Sequence, residues 1–411
     1  MIIQSEKLLN INKKEEKEMK MKKVMSLVLA LSMVLSLTAC GGAKEEAAAP
    51  AAAEPAKTEA AAEAAPAEAE AEAPAEEAAA GGDVAGKTVV FIPKVTGNAF
   101  FEAANEGAQK YAADWGITVD YQGSATAGVA DQVQVINNAV ASGADAICIS
   151  TVDAAGVRDA LLAAKDAGLA VCTWDSDSQS DARDLMVSQG TPEVLGQMLV
   201  DMSVDALTKR GVDPAKDEVK YVWHYSQATV TDQNSWQVAG EAIIAEKYPN
   251  WTKVADNYYS EQDAEKAVST GAAILDAYAD IDLIICNDST ALPGQLKAAQ
   301  NKGLTKDDIT ITGFATPMAI KEYCEAGVLY EWGLWDCGIQ GAMGCYLAAY
   351  LAAGNEVKVG DVISIPGIGD CEVLANDCLT EGDTTADTNN GVVLLPETAV
   401  FDETNVNDYN F

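Results

Sequence analysis

The sequence predicts an α/β protein of two doubly wound parallel-sheet lobes joined by a three-strand hinge. Two observations predict this class. Short apolar runs rich in β-branched residues alternate with stretches of helical periodicity, which is typical of parallel βαβ units. The same alternation starts again after residue 190, and residues 86–411 exceed the length at which a single core usually stops growing.

The elements of the first half follow one another in strand–helix order. Residues 88–93 (TVVFIP) form the first predicted strand, and the helix after it spans 98–115 and stops before Gly116. The later strands of this half are predicted at residues 117–121, 146–151 and 170–175, and the later helices at 128–142 and 154–167. Continuous apolar strands of this kind are expected where helices cover both faces of a sheet.

The second half repeats this order. Its strands are predicted at residues 220–225, 283–286 and 310–314, and its helices at 233–247, 264–277 and 292–302. We expect residues 86–190 plus 333–362 to form the N-terminal lobe, and residues 191–332 plus 363–411 the C-terminal lobe. The chain then crosses between the lobes three times, near residues 190, 330 and 360, as in proteins that close by a hinge.

The first residues have the features of an export signal. A short basic stretch precedes an apolar run at residues 24–37, which is too short to span a bilayer comfortably. The run ends in Leu-Thr-Ala-Cys-Gly, which resembles the bacterial lipobox and implies cleavage before Cys40 and a lipid on its thiol. We therefore predict a signal peptide with a lipobox at residues 1–39. A plain signal peptide with an incidental cysteine is the alternative.

Residues 40–85 are rich in Ala, Glu and Pro and contain almost no large apolar side chain. Such a segment buries too little surface to offset its ordering entropy, so we predict a lipidated tether, with a helical stalk as the alternative. This tether would hold the lobes at the outer face of the cytoplasmic membrane. The membrane is then a partner through Cys40.

The composition excludes several classes of function. A formal net charge of −36 repels nucleic acid phosphates, so no nucleic-acid partner is expected. The acidic run that begins at Asp175 lacks the Gly and the final Glu of a calcium loop, and no Cys-x-x-Cys pair is present, so neither a metal nor another cofactor is expected. His224 is the only histidine and has no nucleophile motif beside it, which argues against an enzyme.

Cysteines and glycines mainly predict packing. Cys148, Cys172 and Cys286 lie in strand-like runs and are expected in the core, while a disulfide between Cys371 and Cys378 stays open. A run of glycines at helical spacing favours close approach of a helix to its neighbour, and its members are Gly338, Gly341 and Gly344.

Polar residues follow the predicted strands at their carboxyl ends, where open α/β sheets bind ligands. The candidate ligand-binding residues are Lys94, Asp175, Asp232, Gln233, Asn287 and Ser289. The candidate pocket walls are Phe100, Phe101 and Trp335. Carboxylates accept hydroxyl hydrogen bonds, Lys and Gln donate them, and aromatic rings cover an apolar face, so a small polyhydroxylated, sugar-like ligand is predicted. Some of these residues, Asp232 above all, also suit helix N-caps.

Several longer motifs resemble those of a known family. They are Phe-Ile-Pro-Lys at 91–94, Thr-Trp-Asp-Ser-Asp at 173–177, Gln-Gly-Thr-Pro at 189–192, Thr-Val-Thr-Asp-Gln-Asn at 229–234, Gly-Leu-Trp-Asp at 333–336 and Gly-Val-Val-Leu-Leu-Pro-Glu at 391–397. Together with the lipobox and the tether, they resemble type I periplasmic binding proteins of ABC transporters, and more narrowly the Lsr-type autoinducer-2 receptors.

This resemblance implies which residues bind the ligand. The lysine, the first-lobe aspartate and the Asp-Gln pair of the family fall on Lys94, Asp175, Asp232 and Gln233. Asn287 and Ser289 depart from the family pattern, which commonly has Pro and Ala at these two positions.

The resemblance also implies a function. It predicts a monomeric lipoprotein that binds non-borated, furanose-like autoinducer-2 between its lobes and delivers it to an ABC permease. Two alternatives stay open. One keeps the fold and changes the ligand to a sugar such as rhamnose, ribose or xylose, and the other is a sensor that presents its ligand to a membrane chemoreceptor or kinase.

Overall fold

The computed structural model describes residues 82–385 and 387–411 and confirms the predicted fold class. The predicted signal peptide, Cys40 and nearly all of the predicted tether lie outside these residues. Within the described ranges, no helix has the length and apolar character that crossing a bilayer requires.

The first lobe is built on a six-stranded, all-parallel sheet in the order β14-β5-β4-β3-β1-β2. Its strands are β1 (Thr88–Ile92), β2 (Thr118–Tyr121), β3 (Ala146–Ile149), β4 (Ala170–Trp174), β5 (Leu185–Ser188) and β14 (Gly391–Leu394). Its helices are α1 (Ala99–Trp115), α2 (Val129–Ser142), α3 (Arg158–Asp166) and α9 (Cys337–Ala352). Strands β3, β4 and β5 are buried along their whole length, as helices on both faces require.

Helices α1 and α9 lie side by side against this sheet. A Cβ on Gly107 of α1 would lie 2.2 Å from the carbonyl oxygen of Gly338, and one on Gly341 would lie 2.5 Å from that of Ala104. Only glycine permits backbones to approach this closely. The predicted role of the glycine run in helix packing is therefore confirmed.

The second lobe has a parallel sheet in the order β10-β9-β6-β7, with β8 also paired to β6. Its strands are β6 (Val219–Tyr225), β7 (Trp251–Lys253), β8 (Tyr258–Tyr259), β9 (Leu283–Cys286) and β10 (Thr310–Gly313). Its helices are α4 (Pro192–Arg210), α5 (Thr231–Lys247), α6 (Ala264–Ala277), α7 (Ala291–Asn301) and α8 (Pro317–Glu325). Helix α4 packs on α5 and α6 packs on α7.

Three crossings join the lobes, and the third differs from the prediction. The first lies between β5 and α4 and the second between β11 (Glu331–Trp335) and α9. The third lies between β14 and β15 (Thr398–Asp402), which pairs antiparallel with β11, and so it falls after residue 394 instead of near residue 360.

The predicted placement of residues 363–411 in the second lobe is therefore wrong for the part up to residue 394. A hairpin of β12 (Val362–Ile365) and β13 (Gly369–Glu372) leads into β14, which pairs with β5 of the first sheet. The physical reason is that the apolar run of β14 is buried by covering an otherwise open sheet edge.

The cysteines of the described residues are free thiols, including both members of the disulfide left open by the sequence. Cys371 Sγ instead donates a hydrogen bond of 3.3 Å to the carbonyl oxygen of Ile363. Cys148, Cys172 and Cys286 are buried in strands, as predicted.

Candidate functional site

The carboxyl ends of β1, β4 and β9 and the start of α5 face one another across a small cavity between the lobes. Its volume is about 20 Å³, so the lining side chains nearly fill it. The lining residues are Lys94, Phe100, Phe101, Asp175, Gln233, Trp236, Gln262, Asn287, Asp288, Ser289, Phe314, Leu334 and Trp335. Eight of the nine predicted site residues are among them. The ninth, Asp232, lies beside Lys94 and lines the adjoining part of the cleft.

A buried lysine is the centre of charge in this cavity. Lys94 is 2 % exposed, and its Nζ lies 2.9 Å from Asp175 Oδ2 and 4.0 Å from Asp232 Oδ2. Burial by itself lowers the pKa of Lys94, but the negative charges of Asp175 and Asp232 outweigh it and raise this pKa above its ordinary value. The ammonium group therefore stays charged and presents donors to the cavity.

Asp232 responds in the opposite way to the same surroundings. Burial raises the pKa of its carboxyl to about 6, and the charge of Asp175 adds to this shift while Lys94 opposes it. Its Oδ1 accepts a hydrogen bond from Ser176 Oγ, and its buried Oδ2 has no hydrogen-bond partner among the described residues. Asp232 thus offers a free acceptor beside the lysine, as expected of a group that binds a hydroxyl.

Asp175 has an unusual backbone conformation. Its φ of +59° is in the left-handed region, which residues other than glycine seldom adopt and which neighbouring contacts must hold. Ser150 Oγ donates to its Oδ2 at 2.6 Å, and Gln189 Nε2 donates to its carbonyl oxygen at 3.1 Å. The resulting turn directs the carboxylate at Lys94 immediately after β4 ends.

A chain of hydrogen bonds through two buried glutamines, Gln189 and Gln340, connects Asp175 with the aromatic wall. We call this chain the glutamine relay. Gln340 Nε2 donates to Gln189 Oε1 at 2.8 Å, and Trp335 Nε1 donates to Gln340 Oε1 at 2.7 Å. Gln189 and Trp335 lie at the first and second crossings between the lobes. These hydrogen bonds thus connect Asp175, which lines the cavity, with two of the three hinge segments.

On the second lobe, an amide network organises the cavity. Gln233 Nε2 donates to Asp288 Oδ1 at 3.2 Å, and Asn287 Nδ2 donates to the Gln233 carbonyl oxygen at 2.8 Å. Asp288 Oδ2 accepts from the backbone N–H groups of Thr290 and Ala291 at the start of α7. Asn287 Oδ1 is buried and has no partner within the described residues, so it is a second free acceptor.

Aromatic rings form the apolar wall. Trp335 meets Phe100, Trp236 and Phe314 edge to face, with ring centroids 5.9, 5.8 and 5.5 Å apart. The sequence predicted Phe100, Phe101 and Trp335 but missed the other two rings. Trp236 lies one helical turn after Asp232, so helical spacing from the predicted pair was the available signal.

The two lobes are in direct contact around the cavity. Asn98 Nδ2 of the first lobe donates to Thr290 Oγ1 of the second at 3.0 Å, and Thr229 Oγ1 donates to the Val152 carbonyl oxygen at 3.1 Å. Ser289 Oγ lies 3.4 Å from Asn98 Oδ1 and donates to it. The structure is therefore the closed form, and Ser289, predicted as a ligand contact, lines the cavity while its hydroxyl is bonded across the cleft.

His224 lies away from the cavity, in the core of the second lobe. Burial lowers the pKa of His224 to about 4, and its Nδ1 lies 3.0 Å from Gln295 Oε1 in the second-lobe core. No three His, Cys, Asp or Glu side chains in residues 82–385 and 387–411 are grouped so that they hold a metal ion. A wider groove between α4 and α5 shares no residue with the cavity.

Two α/β lobes, three crossings and a small polar cavity at the strand ends define a bilobed solute-binding protein, and sequence comparison agrees. Residues 89–356 match the periplasmic binding protein domain, and the chain belongs to this family. Members of this family are extracytoplasmic solute-binding proteins.

Among solved structures, the chain is similar to LsrB from Clostridium saccharobutylicum in complex with AI-2. The two are 65% identical with a TM-score of 0.78 over 79% of this chain and 100% of that one. The predicted resemblance to the Lsr-type receptors is confirmed.

More distant relatives bind sugars. A solute-binding protein from Clostridium phytofermentas with bound L-rhamnose is 22% identical, with a TM-score of 0.70 over 78% of this chain and 97% of that one. The D-ribose/D-allose-binding protein of Pseudomonas aeruginosa is 23% identical over 68% of this chain and 86% of its own length. At 22% identity, the similarity to the L-rhamnose complex shows the shared fold and not the ligand of this chain.

Proposed function

We propose that this chain is the solute-binding component of an ABC importer and that its ligand is autoinducer-2 in its non-borated, furanose-like form. The single observation that carries the proposal is the Lys94–Asp175 ion pair beside two buried acceptors, Asp232 Oδ2 and Asn287 Oδ1, that accept no hydrogen bond from the described residues. The similarity to LsrB in complex with AI-2, which extends over that protein's whole length, supports the same ligand.

The chemistry of the cavity fits a small molecule rich in hydroxyl groups. Asp175 and Asp232 accept ligand hydroxyls, while Lys94 and Gln233 donate to ligand oxygens. Hydrogen bonds to charged groups contribute roughly 1.5–3 kcal/mol each, so four of them total about 6–12 kcal/mol. This range includes the roughly 8 kcal/mol of micromolar binding, before the costs of association are subtracted. The aromatic wall around Trp335 covers the ligand's apolar face.

A sugar is the second candidate ligand, and Asn287 is the observation that favours it. This residue places in the cavity an amide oxygen that accepts no hydrogen bond within the described part of the chain, at a position where the resemblance to Lsr-type receptors predicts proline. An additional acceptor suits an additional hydroxyl, as rhamnose, ribose or xylose provides. Relatives that bind L-rhamnose and D-ribose or D-allose belong to the same fold group.

The remaining parts of the proposal concern location and partners. The lipobox-like sequence at Cys40 and the Ala/Glu/Pro tether support a lipoprotein at the outer face of the cytoplasmic membrane, and we propose that it is a monomer. The closed lobes support delivery of the ligand to a permease, without turnover of the ligand. A membrane chemoreceptor or kinase as recipient is the alternative partner.

Calorimetric titration tests the ligand. The chain without residues 1–40 is titrated with the autoinducer-2 precursor and, separately, with rhamnose, ribose and xylose. Micromolar binding of the precursor alone, abolished in Asp175→Ala, is the expected result. Asp145→Ala is the matched control, because Asp145 is a first-lobe aspartate paired with Lys87 at the amino end of β3. Binding of a sugar without binding of the precursor would contradict the proposed ligand.

A further inference from the structure

Arg183 is a buried arginine of the first lobe, two residues before β5, and it does not line the ligand cavity. Its side chain is 1% exposed, yet all five of its N–H donors are used. Nε donates to Asp177 Oδ1 at 3.0 Å, and Nη2 donates to Asp177 Oδ2 at 2.9 Å. The other donors bond Asn376 Oδ1 at 2.8 Å, Asn390 Oδ1 at 3.2 Å and the Gly391 carbonyl oxygen at 2.9 Å.

Asp177 belongs to the segment that follows β4, and it accepts further hydrogen bonds from residues in and around that segment. Its Oδ1 also accepts from the Ser178 N–H at 2.8 Å and from Thr173 Oγ1 at 2.5 Å. Its carbonyl oxygen accepts from Thr151 Oγ1 at 2.7 Å. A bidentate arginine–carboxylate pair has a fixed geometry, so it holds the end of residues 175–178 in one place.

The same four residues contain two groups that the site needs. Asp175 has its φ of +59°, and its carboxylate faces Lys94. The next residue, Ser176, directs its Oγ at Asp232 on the other lobe. A left-handed aspartate relaxes toward ordinary backbone angles unless the chain on both sides is held. Gln189 Nε2 fixes the Asp175 carbonyl oxygen. The Arg183–Asp177 ion pair fixes the chain on the other side, immediately after Ser176.

We propose that Arg183 and Asp177 are positioning residues for ligand binding. Their ion pair maintains residues 175–178 in the conformation that directs Asp175 at the ligand and Ser176 at the second lobe. The inference rests on the proposed function of Asp175 as a ligand-binding residue.

The test compares variants of this ion pair with a matched control elsewhere. Arg183→Lys keeps the charge and removes the fork, and Asp177→Asn keeps the shape and removes the charge. Arg210→Lys is the control, because Arg210 is an 8% exposed arginine of the second lobe that donates to the Asp282 carbonyl oxygen and Oδ1. Each variant is titrated with the autoinducer-2 precursor and with rhamnose, and its unfolding midpoint is recorded.

We expect both first-lobe variants to bind about tenfold more weakly and Arg210→Lys to stay within about twofold of wild type. Arg183→Lys is then combined with Asp175→Asn. If Arg183 acts through Asp175, adding Arg183→Lys to the Asp175→Asn variant lowers its ligand affinity by less than about twofold. Wild-type affinity in a folded Arg183→Lys or Asp177→Asn protein overturns the proposal. A double variant whose loss of affinity equals the product of the two single-variant losses also overturns it.

A crystal structure of Asp177→Asn separates this inference from the identity of the ligand. We expect Asp175 to leave the left-handed region and its carboxylate to withdraw from Lys94, whichever molecule the protein binds. An unchanged Asp175 φ with the Lys94–Asp175 contact retained at 2.9 Å would refute the positioning role. If wild-type protein fails to bind the precursor while residues 175–178 change as expected in Asp177→Asn, the proposed ligand is wrong and the positioning role stands.

Discussion

Asp232→Asn gives a stability change whose size and pH dependence follow from the site. The carboxyl has a pKa of about 6 in the folded chain against an ordinary value of 3.8, because burial disfavours its charged form. The folded state therefore holds its proton to higher pH than the unfolded state does. Between these two values, stability falls as pH rises, because the folded chain must ionise a buried group.

The magnitude follows from the difference between the two pKa values. Each unit corresponds to about 1.4 kcal/mol, so the wild type loses about 2–3 kcal/mol from this group between pH 4 and pH 7. The amide that replaces the carboxyl in the variant does not titrate and does not incur this loss. The free energy of unfolding of Asp232→Asn, relative to wild type, is thus expected to increase by that amount over the same range.

Urea unfolding of the unliganded chain, followed by circular dichroism at pH 4, 5, 6 and 7, measures this difference. Asp145→Asn is a control of opposite sign. The Thr88 N–H and Lys87 lower the pKa of Asp145 against the effect of burial, so its contribution is present above the unfolded pKa and is lost as pH falls. A relative stability of Asp232→Asn that is flat or decreasing from pH 4 to pH 7 would refute the reasoning.

Three further predictions concern the relay, the cleft and the helix packing. Gln340→Met leaves Trp335 Nε1 and Gln189 Oε1 without their partner, and we expect a loss of about 1–3 kcal/mol in unfolding free energy by urea titration. Thr290→Val removes the acceptor for Asn98 across the cleft, and we expect ligand release to accelerate about fivefold in stopped-flow fluorescence, with Thr305→Val unchanged as an exposed control. Gly107→Ala places a Cβ against the Gly338 carbonyl, and we expect a thermal unfolding midpoint several degrees lower, whereas Gly354→Ala, which meets no atom within 4 Å, tests backbone strain alone.

Local pattern was sufficient to predict most of the elements and much of the site. The predicted strand 170–175 and helix 98–115 correspond to β4 at Ala170–Trp174 and α1 at Ala99–Trp115. Because parallel strands end at the same edge of a sheet, Lys94 and Asp175 were expected at one site. The structure places them there and adds a contact that the sequence did not predict, an ion pair of 2.9 Å.

The missed features depend on contacts between distant parts of the chain. Pairing of Gly391–Leu394 with Leu185–Ser188 joins segments far apart in sequence, and no local pattern indicates which sheet an apolar run enters. Ser289 was expected to face the ligand, but the closed cleft brings Asn98 within 3.4 Å of its hydroxyl. Such a partner depends on the relative position of two lobes, which spacing within either lobe does not contain.

The return of β14 to the first sheet determines the order in which the chain completes its folding. Until residues 391–394 have been synthesised, β5 is an open sheet edge with unpaired backbone groups, although the strand is fully buried in the finished fold. Strand β11 likewise awaits β15. Neither lobe is a contiguous folding unit, so both reach their final form only after almost all of the chain is available. During synthesis the edges of β5 and β11 therefore stay exposed until the last segments appear, and exposed strand edges favour aggregation.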